Sequence, residues 1–553
     1  MSSRNSVAVA ATAAILLLAP PAHAAQTPAE QQSMAELRDT VINLLQALVD
    51  KGLLTREQAQ QLVKQAQDRA ATEAAAAAAK NAAQEKDEQN AVRVPYVPQI
   101  VKDEISKQVA AEVQPAVVAS VVEQAKNEKW GVPAALPDWL SRVKVFGDLT
   151  IRYQGDMLPS DNDQNQLLNF DAINQAGGLA KTTFPFMNTT QDRNRLRERA
   201  RLGVEADLSP NLTAYIRLST GSLTDNAASE SQTLGTYAER YSVGFDQAYL
   251  VWNSNLAGQL SMDTAEGGRL ANPWYSPTEL IYARDLTFEG VADTFRLGWG
   301  AGNADRSHVY ATVGAFPVLE VPLQNSQSKW LLGAQLGTNL RFNDGDEHLR
   351  FAGAYYDFEH VSGVRNTPNS TLTNFTAPAY VQFGNTMFDI TNDTIDPAGT
   401  VNLFALAAHF RLVDVATSFD AAIGSHTLTL TGEAVRNIGY DRLRIEDLTG
   451  QSIDKNNNTG YVGEISFGDA LVDESLKWRA AFGYRYVMSD AVLDAWTDAD
   501  FHEGGTNAKG YYIWTQLGLT HNTWARLRFM SANEVSGPRY GLDIIQFDVN
   551  ARF

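Results

Sequence analysis

From Val143 to the C terminus the chain keeps returning to one pattern, an apolar residue at every second position. Val143, Val145, Leu149, Ile151 and Tyr153 alternate with Lys144, Asp148, Thr150 and Arg152. A strand turns successive side chains to opposite faces, so this segment has one apolar and one polar side. Segments of this kind predict sixteen strands, over 143–153, 193–208, 211–220, 243–253, 257–265, 286–299, 307–316, 329–342, 347–359, 401–412, 425–437, 459–468, 475–487, 510–521, 523–532 and 543–553. The intervals after odd-numbered strands are long, such as 154–192 and 360–400. Those after even-numbered strands are short, such as 209–210 and 343–346, with 413–424 as the exception. A soluble sandwich or propeller gives no reason for that alternation, whereas short turns at one end and long loops at the other characterise membrane barrels. The expected fold class is an all-β transmembrane barrel of about 16 antiparallel strands, occupying 141–553.

One segment can be measured against a bilayer. In 329–342, Trp330, Leu332, Ala334, Leu336, Leu340 and Phe342 share a face. The aromatic ends are 12 residues apart. At ~3.3 Å per residue and ~40° tilt they lie about 30 Å apart along the membrane normal, close to an apolar band flanked by aromatic girdles. The other face, with Gln335, Asn339 and Arg341, suits a wet lumen. With 44% hydrophobic residues and no later apolar run of about 20, the chain is not a polytopic helical membrane protein. Its 45 Lys+Arg against 64 Asp+Glu, a net charge of −19, offers no basic field for nucleic acid. Cysteine is absent, which excludes disulfides, thiolate metal sites and Cys nucleophiles.

The amino terminus reads as an export signal over 1–24. Arg4 is followed by an apolar stretch from Val7 to Leu18, then Ala22-His23-Ala24 as a cleavage site. Residues 25–90 predict an α-helical hairpin or coiled coil. Ser33 with Glu36 and Thr55 with Gln58 fit capping boxes, and Leu37, Val41, Leu44, Leu45, Leu48 and Val49 form one stripe. Residues 91–140 predict a helix and a Pro/Trp-rich connector. An even strand count puts both barrel ends on the short-turn side, the periplasm, where the helices belong. They could be a spacer, a trimerisation stalk or a cell-wall contact.

The last residues are a sharper signal. Ile545, Phe547, Val549, Ala551 and Phe553 alternate with Gln546, Asp548, Asn550 and Arg552, and the sequence ends on Phe553. This resembles the terminal signal of outer-membrane barrels that the barrel-insertion machinery reads, with Phe547 and Phe553 as its aromatic positions. Further motifs are similar to those of the bacterial putative porin family. They are Val92-Arg93-Val94-Pro95-Tyr96-Val97-Pro98, Leu136-Pro137-Asp138-Trp139-Leu140, and Phe146-Gly147-Asp148-Leu149-Thr150-Ile151-Arg152-Tyr153. Asp246-Gln247-Ala248-Tyr249-Leu250, Gly268-Arg269-Leu270-Ala271-Asn272-Pro273-Trp274 and the run from Asp285 to Ala292 follow in the same order. The resemblance implies an outer-membrane channel with a periplasmic helical region. It names no solute.

The lumen is where the chemistry lies. In 193–208, Arg193, Arg195, Arg197, Arg199 and Arg201 all fall on odd positions, opposite Leu202, Val204 and Leu208. An Arg facing mid-bilayer lipid costs ~2–4 kcal/mol, so the ladder is expected to point inward. Arg217 and Arg152 fall on the lumen faces of their strands, completing a cationic wall. The interval 266–285 supplies Glu266, Glu279 and Asp285, with Glu289 beyond it. These acids are candidates for an inward loop opposing the arginines across a constriction. Alternatively, the upper arginines bind lipopolysaccharide phosphates or solvate the loop base. Catalytic patterns fail: there is no HExxH, no G-x-S-x-G, and Asp454-Lys455-Asn456-Asn457-Asn458 lacks the closing Glu of a calcium loop. No metal or cofactor is expected. The sequence therefore predicts a non-enzymatic porin, expected to be a homotrimer, passing small hydrophilic solutes or ions. The other reading is a structural anchor with a plugged barrel.

Overall fold

The computed structural model describes residues 142–222, 227–255, 260–299, 307–323, 326–342, 347–394 and 402–553. The expected signal peptide (1–24), helical segment (25–90) and connector (91–140) lie outside the described residues.

Sixteen long strands follow one another in antiparallel order. They are β1 (Val143–Met157), β2 (Arg193–Ser209), β3 (Leu212–Thr220), β4 (Val243–Asn255), β5 (Leu260–Leu270) and β6 (Phe288–Trp299). Next come β7 (Ser307–Leu319), β8 (Lys329–Phe342), β9 (Glu347–Glu359), β10 (Phe410–Ile423) and β11 (His426–Asn437). The last are β12 (Thr459–Gly468), β13 (Trp478–Val487), β14 (Ala508–Thr520), β15 (Thr523–Glu534) and β16 (Gly541–Arg552). Each pairs with its sequence neighbours, and β16 returns to β1 with Asp148 opposite Arg552 and Met157 opposite Asp543. The sheet is therefore a closed barrel with no free edge, the one strand arrangement that satisfies its backbone in lipid. A two-residue strand, Gln232–Thr233, adds to β2.

Phe553 completes the seam. Its N–H donates to the Gly147 carbonyl at 3.0 Å, and its carbonyl accepts from Gly147 N–H at 3.1 Å. Its ring lies over Gly147, where any Cβ would strike it at 2.5 Å. Glycine is needed there for close approach.

The two faces of each strand separate as the period-two pattern requires. On β8, Leu336 is 67% exposed and Leu331 is 0% exposed. Exposed Leu149, Ile151, Tyr153, Val313, Ile465, Phe482, Ile513, Phe547 and Val549 continue the apolar belt around the wall. Inside, by contrast, the apolar residues belong to a cluster contributed largely by loops, including Trp274, Leu280, Tyr282, Phe388, Leu493, Phe501 and Tyr540. The half of the barrel nearest the long loops is thus packed, not empty.

One strand departs from expectation. The segment 401–412 was expected to be the tenth strand. Instead Phe404–Leu406 pairs with Met387–Asp389 inside loop 360–409, and β10 runs over Phe410–Ile423. The reason is burial. Ala405, Leu406, Ala407 and Ala408 are consecutive and all buried, as an apolar run within loops should be. In β10, Asp414 lies between exposed Val413 and Val415 and, like Ser418 and Asp420, faces inward. This shift removes the exceptional long interval. A two-residue turn, Gly424-Ser425, now joins β10 to β11, with Gly424 at φ 64°. A smaller shift puts β5 at Leu260–Leu270, so Glu266 lies on a strand and not in a loop.

Leu336→Arg places a guanidinium on the apolar belt and is expected to lower folding stability in lipid vesicles by about 2–4 kcal/mol. Leu323→Arg, on an exposed loop, is expected to leave it unchanged. Urea titration of refolded protein would measure both.

Candidate functional site

The loop 271–287 leaves β5 and crosses the barrel interior. Trp274 packs edge-on against Tyr356 of β9 at 5.3 Å and Phe316 of β7 at 6.0 Å. The Tyr275 N–H donates to Gln335 Oε1 of β8 at 2.8 Å, and its hydroxyl donates to Ser418 of β10 at 2.8 Å. The Thr278 N–H donates to Glu433 of β11 at 3.2 Å. Arg485 of β13 donates to the Glu279 carbonyl at 3.0 Å. The loop then returns to β2, where Arg199 binds Asp285 at 2.8 Å. Its apolar residues Leu280, Ile281, Tyr282 and Leu286 are buried, which explains why the segment lies inside. It touches seven strands far apart around the wall, and so spans the lumen.

The arginine ladder of β2 points inward, and every rung meets a carboxylate. Arg193 reaches Glu503 at 3.5 Å. Arg195 binds Asp156 at 2.5 Å and Glu503 at 3.2 Å. Arg197 reaches Asp500 at 3.8 Å. Arg201 binds Asp148 at 2.8 Å and Glu230 at 3.2 Å. Arg217 of β3 binds Glu230 at 3.2 Å and also Asp246. Arg152 of β1 binds Asp548 at 2.7 Å and Asp500 at 2.8 Å. The wall is therefore not a free cationic surface.

Of the four acids expected at a constriction, Asp285 and Glu279 lie in this interior, while Glu266 lies on β5. Asp285 touches Arg199, and Glu279 lies 3.8 Å from Arg284. Burial pushes the Glu279 carboxyl up, and neighbouring Asp498 adds to it. Glu289 does not join them. It sits on β6 opposite Arg269 of β5, on the outer side of the wall, and pairs with it at 2.5 Å. Period two explains this: Glu289 shares a face with exposed Val291, Phe295 and Leu297.

A second loop, 488–507, supplies acids that the sequence reading missed. Asp498 lies 3.7 Å from Arg485 and 3.6 Å from Arg528, and Asp500 lies 3.6 Å from Arg528. Burial opposes ionisation of Asp500, but Arg152, Arg528 and Arg197 outweigh it and hold the carboxyl well below the usual range. The signals were present. Arg526 and Arg528 occupy alternate positions in a segment already read as a strand, and Asp494, Asp498, Asp500 and Glu503 crowd one long loop.

Between these walls is a polar cavity of about 290 Å³. Its lining includes Arg152, Arg199, Arg201, Arg284, Arg526 and Arg528 against Glu279, Asp285, Asp498, Asp500 and Asp548. Six guanidiniums face five carboxylates. Arg526 is the one without a carboxylate in ion-pair range among the described residues, and it lies 5.0 Å over the Trp514 ring. Beside it a narrower space is lined by Glu464, Arg485, Tyr512 and Trp514.

A family model for putative porins matches residues 38–553. The chain belongs to the putative porin family. It is an outer-membrane channel protein, and the cavity described above lies inside this porin's closed barrel. Its fold resembles that of solved outer-membrane proteins. Pseudomonas putida OprB shares 11% identity at a TM-score of 0.43, covering 77% of this chain and 97% of that one. The channel DcaP of Acinetobacter baumannii shares 10% at 0.37, with 74% and 97% covered. Salmonella typhi OmpF, in complex with daunomycin, shares 11% at 0.37, with 74% and 97% covered. No curated protein sequence matches.

The loop 488–507 of the porin is fastened to loop 360–409 by buried polar groups. Thr386 donates through N–H and hydroxyl to Asp490 at 2.8 and 2.7 Å, and Asn385 Oδ1 accepts from Asp494 N–H at 2.8 Å. Burial pushes the Asp490 carboxyl up to about 6 and Asp494 up to about 7. Burial also pulls His502 down to about 4. A raised carboxyl stabilises the closed loop below its ordinary range and loses that effect as pH rises through its folded value. His502 acts oppositely, losing its contribution as pH falls toward about 4. Asp494→Asn isolates one group. Its stability advantage over the native chain is expected to grow between pH 4 and 7 and to level off above pH 8, at on the order of a few kcal/mol. Limited proteolysis within 488–507 across that pH range would measure it.

Proposed function

We propose that this porin is a passive diffusion channel whose narrowest passage is the polar cavity between loop 271–287, loop 488–507 and β1, β2, β15 and β16. It needs no cofactor or energy source, because a closed barrel with a charged, wet interior gives hydrophilic solutes a path that lipid denies them. The observation that carries this reading is the crossing loop, whose Asp285 lies against Arg199 at 2.8 Å. The pore-lining residues are Arg152, Arg195, Arg197, Arg199, Arg201 and Arg217, with Arg193 at the mouth, where its side chain is 45% exposed. Asp285 and Glu279 serve as the constriction acids.

The excess guanidinium sets the sign. Ion pairs have short-ranged fields, so Arg526 gives the passage a mild preference for anions despite the chain's net −19. We further propose that residues 1–24 direct export and that 25–140 form a periplasmic helical and connector region, because β1 begins and β16 ends on the short-turn side. Phe547 and Phe553 form the insertion signal.

The protein assembles as a homotrimer through the wall of β4–β7. That wall is poorly suited to lipid. Asp293 shares its outer face with Ala265 and Val313, and a groove of about 610 Å³ there includes Gly267, Val291 and Ala315. Ala315→Trp fills the groove and is expected to convert a trimer to monomers, read by cross-linking in mild detergent. A monomeric native protein would overturn the assembly.

Single-channel recording of the refolded mature protein in a planar bilayer tests the channel. Discrete steps in KCl are expected, with a reversal potential in a salt gradient on the anion side. Arg526→Gln removes the unpaired charge without orphaning a carboxylate, and is expected to weaken that preference severalfold while preserving the steps. A correctly inserted but silent barrel would overturn the reading.

A further inference from the structure

A second cavity, of about 260 Å³, lies apart from the arginine ladder, where the tops of β6, β7 and β8 meet loops 360–409 and 488–507. Its lining is mainly apolar: Leu286, Phe288, Phe316, Tyr380, Leu406 and Trp496 take part. Trp496 packs edge-on against Phe288 at 5.7 Å and Phe358 at 5.5 Å, so the walls are held by ring contacts.

One charged group among these apolar residues is Lys329, at the top of β8 and only 5% exposed. An ammonium has three protons to donate. Here it makes one hydrogen bond, to the Thr376 carbonyl at 3.2 Å, and among the described residues no carboxylate lies within ion-pair distance. Arg269 and Glu289, which border the cavity from the outer side of the wall, already bind each other at 2.5 Å. Burying an ammonium without a counter-charge is unfavourable, and buried charges in native proteins are usually paired. The position has not been made neutral, and a methionine would fill similar space without the charge.

We propose that this cavity is a capture site for small monocarboxylates with an apolar body, an aromatic ring or a short branched chain, whose carboxylate pairs with Lys329. The inference deepens the channel reading and rests on it, since the site lies on the loop side of the polar passage. Small-molecule sites combine an apolar lining with a few placed polar groups, as here. The volume is at the small end of such sites, roughly 300 Å³ and upward, which limits the guest to about one ring. The sign follows from Lys329, and the apolar requirement follows from the aromatic walls. A plain inorganic anion would satisfy the ammonium but leave those walls unfilled.

The test uses the full-length folded protein, with phenylacetate as probe and acetate and 2-phenylethanol as comparisons. Calorimetry in detergent is expected to show saturable phenylacetate binding, at least tenfold tighter than either comparison. Lys329→Met is expected to weaken it at least tenfold, and Lys329→Arg to keep it within about threefold. KCl conductance of the same preparations reports folding and channel function separately. A native protein that conducts but does not bind phenylacetate overturns the capture site and leaves the channel. A native protein that binds phenylacetate but is silent in KCl overturns the channel and leaves the binding site. Unchanged binding in a conducting Lys329→Met variant overturns the role of the lysine. If Lys329→Met does not fold, loss of phenylacetate binding in a conducting Lys329→Arg variant overturns it instead.

Discussion

Everything in this porin depends on a seam. A strand edge in hydrocarbon exposes unpaired N–H and C=O groups, and each is unfavourable enough that open sheets do not span bilayers. The sixteenth strand must therefore find the first across nearly four hundred residues of sequence. The pairing runs from Asp148–Arg552 to Met157–Asp543, and Phe553 extends it by a reciprocal pair of backbone bonds to Gly147. Phe553 is thus part of the closure. Gly147 admits its ring because it has no side chain to meet it.

Closure dictates what the interior must be. With the apolar faces turned outward, the polar faces of sixteen strands converge on one enclosed space. Arginines there cannot be left isolated, because a partly desolvated charge without a partner is costly and the remedy is pairing with good geometry. The partners come from far away: Asp548 from the last strand, Asp500 and Glu503 from loop 488–507, Asp285 from loop 271–287 and Glu230 from loop 221–242. The ladder therefore does two things. It lines the interior, and it anchors three loops inside the barrel. Apolar packing of Trp274, Tyr282 and Trp496 completes that anchoring.

How much of this could be read from the residues follows from the same physics. Strands whose outer face is apolar and inner face polar are legible, and β8 and β9 match their expected bounds at both ends. The tenth strand was misplaced because a continuous apolar run, 403–408, outweighed the alternation that follows it. The run is apolar because loops bury it on all sides. The inward direction of Arg193 to Arg201 was legible from period two alone. Their partners were not, because pairing an arginine of β2 with Asp500 requires knowing which loop enters the barrel. Glu289 shows the converse error. Sequence proximity to Asp285 suggested the constriction, but crossing from loop to strand between them turned it to the outer wall.

Contact pairing also changes the electrostatics expected of such a passage. Arginines facing acids across a water gap would set up a transverse field along the whole wall. Arg199 and Asp285 at 2.8 Å instead form a compact dipole, whose potential falls off faster than that of a single charge. Screening removes more: the Debye length is about 10 Å at 0.1 M salt, so the acidic exterior contributes little inside. What a solute meets is then set by the charges left over after pairing. Within the described interior these include Arg526 beside Trp514, and Lys329 at a cavity lined by Phe288, Phe316 and Trp496. Both are cations against aromatic surface. A net acidic chain thus places unpaired positive charge against apolar wall at two points, and under the proposed function that combination, not the length of the arginine ladder, is what would distinguish one anion from another.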